Sequence, residues 1–154
     1  EKLTLLFSAF KDYPRALEVR HASFQHDQFV RFLAAHDVSW VNVDQPLFLD
    51  SVKPAETVTG PDGYVRLHGR NYEKWFAHNE SWERYNYLYS AEEIEPWASR
   101  IETMAMSRET YVITNNHFRG QAIVNAADLE VALGRAARLP PQLSQVYGDR
   151  VPRQ

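Results

Sequence analysis

Apolar and polar residues along the chain alternate between two periods, and the switches between them predict the elements. Leu3, Leu6, Phe7 and Phe10 recur at helical spacing. They predict a helix over Leu3–Phe10, ended at Pro14, which cannot continue a helix. Ala16–Arg20 switches to period two, with Leu17 and Val19 on one face and Glu18 and Arg20 on the other; a short helix is the competing reading. Phe29, Phe32 and Leu33 form the stripe of a helix over Asp27–His36. A second strand covers Val38–Asp44, where Trp40, Asn42 and Asp44 alternate with Val41 and Val43. A third covers Tyr64–His68, carrying Arg66 and His68 on one side before Gly69 breaks it. Between them, Pro46, Pro54, Gly60 and Pro61 mark a loop.

Residues 71–89 hold Tyr72, Trp75, Phe76, Trp82, Tyr85, Tyr87 and Tyr89. So many rings in an irregular stretch must pack on something. Two readings stand: an excursion that covers a barrel mouth or another chain, or a lid that stacks on a ring-shaped ligand. Ser90-Ala91-Glu92-Glu93 is a capping box that starts a helix at Ala91, with Ile94, Trp97, Ile101 and Met104 as its stripe and Pro96 removing one hydrogen bond. Tyr111–Thr114 is the fourth strand, and Gly120–Leu133 a helix ended near Gly134. Residues 1–139 form one domain; residues 140–154, with Pro140, Pro141 and Pro152, form a tail expected to wrap the surface or fray.

Strands that alternate with helices or long crossovers imply a parallel sheet, either doubly wound or closed as a (β/α) barrel. The barrel is favoured, because Glu18, Arg20, Asn42, Asp44, Arg66, His68 and Asn116 sit late in their strands. A barrel lets such residues converge at its C-terminal mouth.

Composition narrows the function classes. The 154 residues are 44% hydrophobic and carry a net charge of −3 with a pI near 6.1. That length allows one core. The acidic balance argues against a broad nucleic-acid or anionic-membrane surface. With no Cys there is no disulfide, thiolate or Cys-type zinc chemistry. No apolar run has the length of a membrane span and no signal peptide is evident, so a cytoplasmic location is expected. The chain opens on Glu1 rather than Met, which implies processing or trimming.

Two constellations carry candidate chemistry. The first is Glu18, Arg20, Asp44, Arg66, His68 and Arg70, expected around one mouth. Arginine forks hold a carboxylate or phosphate, and a carboxylate or imidazole beside them moves protons near neutral pH. The alternative is a polar layer of ion pairs, Glu18 with Arg20 and Asp44 with Arg66. The second is Asn115-Asn116-His117-Phe118-Arg119-Gly120, where the last strand meets the last helix. It is either an anion site at a helix N-terminus or a simple cap made by Asn115 or Asn116. A divalent ion on Glu18, Asp44 and His68 is a third option, opposed by the neighbouring arginines. His21, His26, His36 and His78 read as loop or surface residues, and no P-loop or G-x-G-x-x-G is present.

GYVRLHGRN, RYNYLYSAEEIEPW, TYVITNNHFRGQAIVNA and EVRHASF resemble the family called domain of unknown function 72, the YecE-like proteins, over about Ala16 to Leu129. The resemblance implies a TIM-type α/β barrel, of which this chain matches only the second half, strands five to eight. It implies in turn that the chain pairs with the missing N-terminal half or with a second copy. The family has no settled biochemical role. The expected function is therefore an enzyme-like site, hydrolase or sugar-isomerase in type, for a small anionic or sugar-phosphate-like ligand. Its candidate catalytic residues are Glu18, His68 and Asp44. Its candidate anion contacts are Arg20, Arg66, Arg70, Asn42, Asn116, His117, Arg119 and Gly120. No metal and no cofactor is expected. A non-catalytic module that binds single-stranded nucleic acid or a protein, and an inactive half-barrel fragment, are the alternatives.

Overall fold

The computed structural model describes residues 1–77, 79–148 and 150; His78, Asp149 and residues 151–154, Pro152 of the tail among them, lie outside the described residues. In chain order the elements are α1 (Lys2–Ala9), β1 (Ala16–Leu17), α2 (Asp27–Ala35), β2 (Ser39–Asp44), β3 (Gly63–Leu67), α3 (Ala91–Ala105), β4 (Thr110–Thr114), α4 (Gln121–Ala132) and α5 (Pro141–Tyr147). The strands form one parallel sheet in the order β1-β2-β3-β4, so β1 and β4 are its edges.

Side chains at paired positions of a parallel sheet point to the same face. The register pairs Leu17 with Trp40, Asp44 with Leu67 and Val65 with Val112. That face carries the helices. Trp40 meets Phe29 of α2 edge-on, and Val65 and Leu67 pack with Ile94, Trp97, Ile101 and Met104 of α3 and Leu129 of α4. α1 extends the same layer through Phe7, which packs on Phe32 of α2. A doubly wound sheet would carry crossover helices on both faces. Here α2, α3 and α4 all cover one, and the other face, with Tyr64 and Arg66 of β3 and Tyr111 and Ile113 of β4, carries no helix among the described residues.

β1 is shorter than its alternation predicts because the chain then pairs elsewhere. Past Leu17 it meets the loop that follows β2: Val52 N donates to Arg20 O at 2.9 Å, Ala22 N to Asp50 O at 2.8 Å, and His21 bridges Ser51. The capping box forms at α3, with Ser90 N donating to Glu93 at 2.9 Å. One expectation needs correction. α4 begins at Gln121, and neither Asn115 nor Asn116 caps it; Arg119 and Gly120 take left-handed φ values of 52° and 77°, and Gly120 is the N-cap. In the tail, Pro141 opens α5, at a position where its missing N–H is not needed, and Leu143 of that helix lies against Gly120. Among the described residues, no helix is long and apolar enough to cross a membrane.

Candidate functional site

The polar residues predicted to share one mouth divide between the two faces of the sheet. β1 and β3 are amphipathic, and their polar sides meet on the helix-free face. There Glu18 accepts hydrogen bonds from Arg20 Nε at 2.8 Å and from Arg66 Nη1 at 2.7 Å. His68 Nε2 lies 3.3 Å from the same carboxylate. A carboxylate only accepts, so the His68 proton must sit on Nε2. Nδ1 then accepts from the Asn115 side-chain amide at 3.1 Å, and both ring nitrogens are engaged. Arg20 Nη2 stands 3.1 and 3.4 Å from the two ring nitrogens, a spacing that places it over the ring.

These neighbours fix the charges. Burial alone would raise the Glu18 carboxyl, but the hydrogen bond from His68 and the guanidinium of Arg20 hold it down at about 2. Burial lowers the His68 imidazole below its ordinary value, and Arg20 and Arg66 push the same way against Glu18. At neutral pH the cluster is thus two guanidinium ions, one carboxylate and a neutral imidazole. It carries net positive charge in an acidic chain.

The second cluster lies on the helix face. Asp44 is fully buried and accepts four hydrogen bonds: from Arg70 Nε at 2.8 Å and Nη2 at 2.6 Å, from Tyr89 OH at 2.8 Å and from Trp97 Nε1 at 2.6 Å. Arg70 continues to Glu93 at 3.2 Å, which also accepts from Tyr87 OH at 2.5 Å. Hydrogen bonding to Asp44 raises the Arg70 pKa; burial and the Asp44 charge raise that of Tyr89. Asp44 therefore does not join Glu18 and His68. The cause is the phase of β2, whose residues are all buried: Trp40, Asn42 and Asp44 face the helices while Val41 and Val43 face Tyr64 and Arg66. Arg70 leaves the face of Arg66 and His68 because Gly69, at a φ of 87°, breaks the alternation. Asn42 is also internal. Its amide donates to Thr57 O and Tyr64 O and accepts from Thr57 N, pinning the loop before β3.

Beside Arg20 opens a cleft of about 560 Å³, lined by Arg20, Arg84, Asp50 and Gln45 and by the rings of Phe48, Trp75 and Phe76. The aromatic excursion builds much of it. Arg20 sits 5.7 Å over the Trp75 ring, Phe48 packs on Phe76 at 5.0 Å and on Tyr72 at 5.6 Å, and Trp82 stacks on Phe118 at 4.2 Å. Tyr72, Phe76 and Trp82 thus pack across the loops that follow β2 and β4. A groove of similar size, about 540 Å³, lies by the start of β4; Arg135 on it pairs with Glu130 at 3.6 Å, and Arg108 donates to the backbone oxygens of Gly60 and Ser107.

The run from Asn115 to Gly120 does not converge on a point. Asn116 is buried and donates to Tyr87 O at 2.7 Å and Asn125 Oδ1 at 2.8 Å. His117 packs on Tyr85, Arg119 lies over Phe118, and both are exposed. Gly120 is pressed by Leu143 of α5, so that a Cβ there would come within 2.6 Å of it. Sequence reasoning assigned Asn115 only as a possible cap; its alternation with Tyr111 and Ile113 was the signal that it faces His68. His21 and His26, read as loop residues, accept backbone N–H bonds at the starts of helical turns. Among the described residues, no group of three or more His, Asp or Glu side chains is placed to hold a metal ion.

A family model described as "Protein of unknown function DUF72" matches residues 1–146. A crystal structure of a DUF72 family protein from Thermotoga maritima is 35% identical, with a TM-score of 0.80 over 86% of this chain and 50% of that one. One from Enterococcus faecalis is 31% identical, with a TM-score of 0.76 over 90% of this chain and 54% of that one. The chain thus spans about half the length of the solved structures it matches. No curated protein matches it.

Proposed function

The chain belongs to the DUF72 family, a family of unknown function, and from that premise we propose that its helix-free sheet face and adjoining cleft bind a small anionic, sugar-phosphate-like ligand. One observation carries this reading: a single carboxylate, Glu18, is shared by two part-exposed guanidinium groups, Arg20 and Arg66. Positive charge beyond what Glu18 neutralises stands at the edge of a cleft of a size typical for small ligands. Guanidinium forks suit phosphate or carboxylate oxygens.

Binding is better supported than proton transfer. With the Glu18 carboxyl at about 2, it is ionised and weakly basic near neutral pH. His68 has both ring nitrogens occupied. In this reading Glu18 and His68 orient the two arginines, while Asp44 and Arg70 hold the scaffold.

We further propose that the chain is the strand-five-to-eight half of a TIM-type barrel. Helices on one face, edge strands at both ends and the half-length match to solved relatives support this. The edge strands β1 and β4 then pair with the complementary half or with a second copy of the chain, leaving the helix-free face as the lining of the site.

Titration with inorganic phosphate and ribose 5-phosphate, followed by thermal shift and calorimetry, tests the ligand reading. Stabilisation at millimolar ligand that disappears in Arg20→Ala/Arg66→Ala is expected. No shift with either compound would refute it.

A further inference from the structure

The cleft is lined by two unlike kinds of residue, charged and apolar, and a sugar phosphate would use only the first. The charged groups are Arg20 and Arg84 with one carboxylate, Asp50. Of the apolar ones, Leu49 is 97% and Phe76 is 76% exposed, while Trp75 is nearly buried beneath the Arg20 guanidinium. Isolated exposed apolar residues are ordinary. These are not isolated: Phe48, Tyr72 and Phe76 form a continuous pile, and Phe48 and Phe76 line the same cleft as the arginines. A compact hydrophilic anion would leave that wall in water. An anion attached to a planar ring would place the charge on the guanidinium side and the ring against Phe76, Phe48 and Leu49.

From this we infer that the ligand class is a ring-bearing anion, of the aryl phosphate or mononucleotide type, with Phe76 and Phe48 as the residues that select the ring. The inference rests on the anion-site reading above. The net charge of −3 favours one small anion over a polyanionic strand. Stacking of a base on an aromatic side chain is strong enough to change affinity about tenfold.

The test is calorimetric titration of the chain with four compounds: inorganic phosphate, ribose 5-phosphate, phenyl phosphate and adenosine 5′-monophosphate. The two aromatic compounds are expected to bind about tenfold more tightly than ribose 5-phosphate. Phe76→Ala, at a 76% exposed position, is expected to erase the difference between them and ribose 5-phosphate. Equal affinity for all four compounds would overturn the inference while leaving the anion reading intact. A ring preference that survives both Phe76→Ala and Phe48→Ala would also overturn it. Failure of all four to bind would end both readings.

Discussion

The two faces of the sheet carry polar clusters built from the same residue types, and they differ in the sign of the charge left over. On the helix face, Asp44 accepts four hydrogen bonds, and Arg70 is held between two carboxylates, Asp44 and Glu93. The excess there is one carboxylate, which offers an anion nothing. On the open face two guanidinium groups share one carboxylate, and the imidazole beside them is neutral. Exposure separates the two central carboxylates, 1% for Asp44 against 18% for Glu18, whereas Arg70, at 29%, is close to Arg66, at 32%. A saturated network built into the core fixes the fold, because each member would be costly to leave unpaired. An under-neutralised one at a cleft keeps capacity for an anion.

Removing one carboxylate from each face is the sharpest way to break this contrast. Asp44→Ala should cost about 3–5 kcal/mol, because it strands Arg70 and the buried donors of Tyr89 and Trp97; urea denaturation reads this as a large fall in midpoint. Glu18→Gln should cost only about 1–2 kcal/mol, since water replaces the lost partner at two half-exposed guanidinium groups. It should also raise phosphate affinity. Equal losses in the two variants would erase the distinction between the faces. Arg66→Ala is next, with about a tenfold loss of phosphate affinity, equivalent to about 1.4 kcal/mol, and a melting temperature close to that of the parent chain.

The smallest effect is the part of the pH dependence carried by His68. The folded His68 pKa is lowered from 6.5 by burial, so the unfolded chain takes up that proton first as pH falls. Stability is therefore full above about 6.5 and declines below it, by less than about 1 kcal/mol at pH 6.0. Glu18, Arg20, Arg66 and Asn115 surround the ring. His68→Gln should flatten this part of the profile. The Glu18 carboxyl, depressed to about 2 from 4.5, contributes stability above about 4.5 that is lost as pH falls towards 2. Glu18→Gln should flatten that lower window. Profiles of the variants that run parallel to the parent chain through both windows would contradict the assigned charges.

Much of this was legible from alternation alone, and the exceptions have physical causes. β1 and β3 have one polar and one apolar side, so the meeting of Glu18 with Arg66 and His68 could be read directly. β2 is buried on both sides, and there alternation marks two faces without saying which is which. Asn42 and Asp44 were consequently expected at the mouth, whereas they lie beneath α3. Arg70 follows a glycine whose left-handed backbone resets the phase. Asn115 was hidden by Asn116, since two adjacent asparagines point to opposite faces. The cleft walls come from loops, which have no period to read, so aromatic content signalled packing but not position.

The sheet order has a consequence for how the molecule is made. Each strand lies beside the strand that precedes it in sequence: Ala16 beside Ser39, Val41 beside Tyr64, Gly63 beside Thr110. A chain leaving the ribosome can add every new strand to an existing margin without waiting for a distant segment. The longest pause falls before β4, while the ring-rich stretch and α3 are being synthesised. The Asp44 network draws on no residue beyond Trp97, whereas His68 waits for Asn115 to complete its hydrogen bonding.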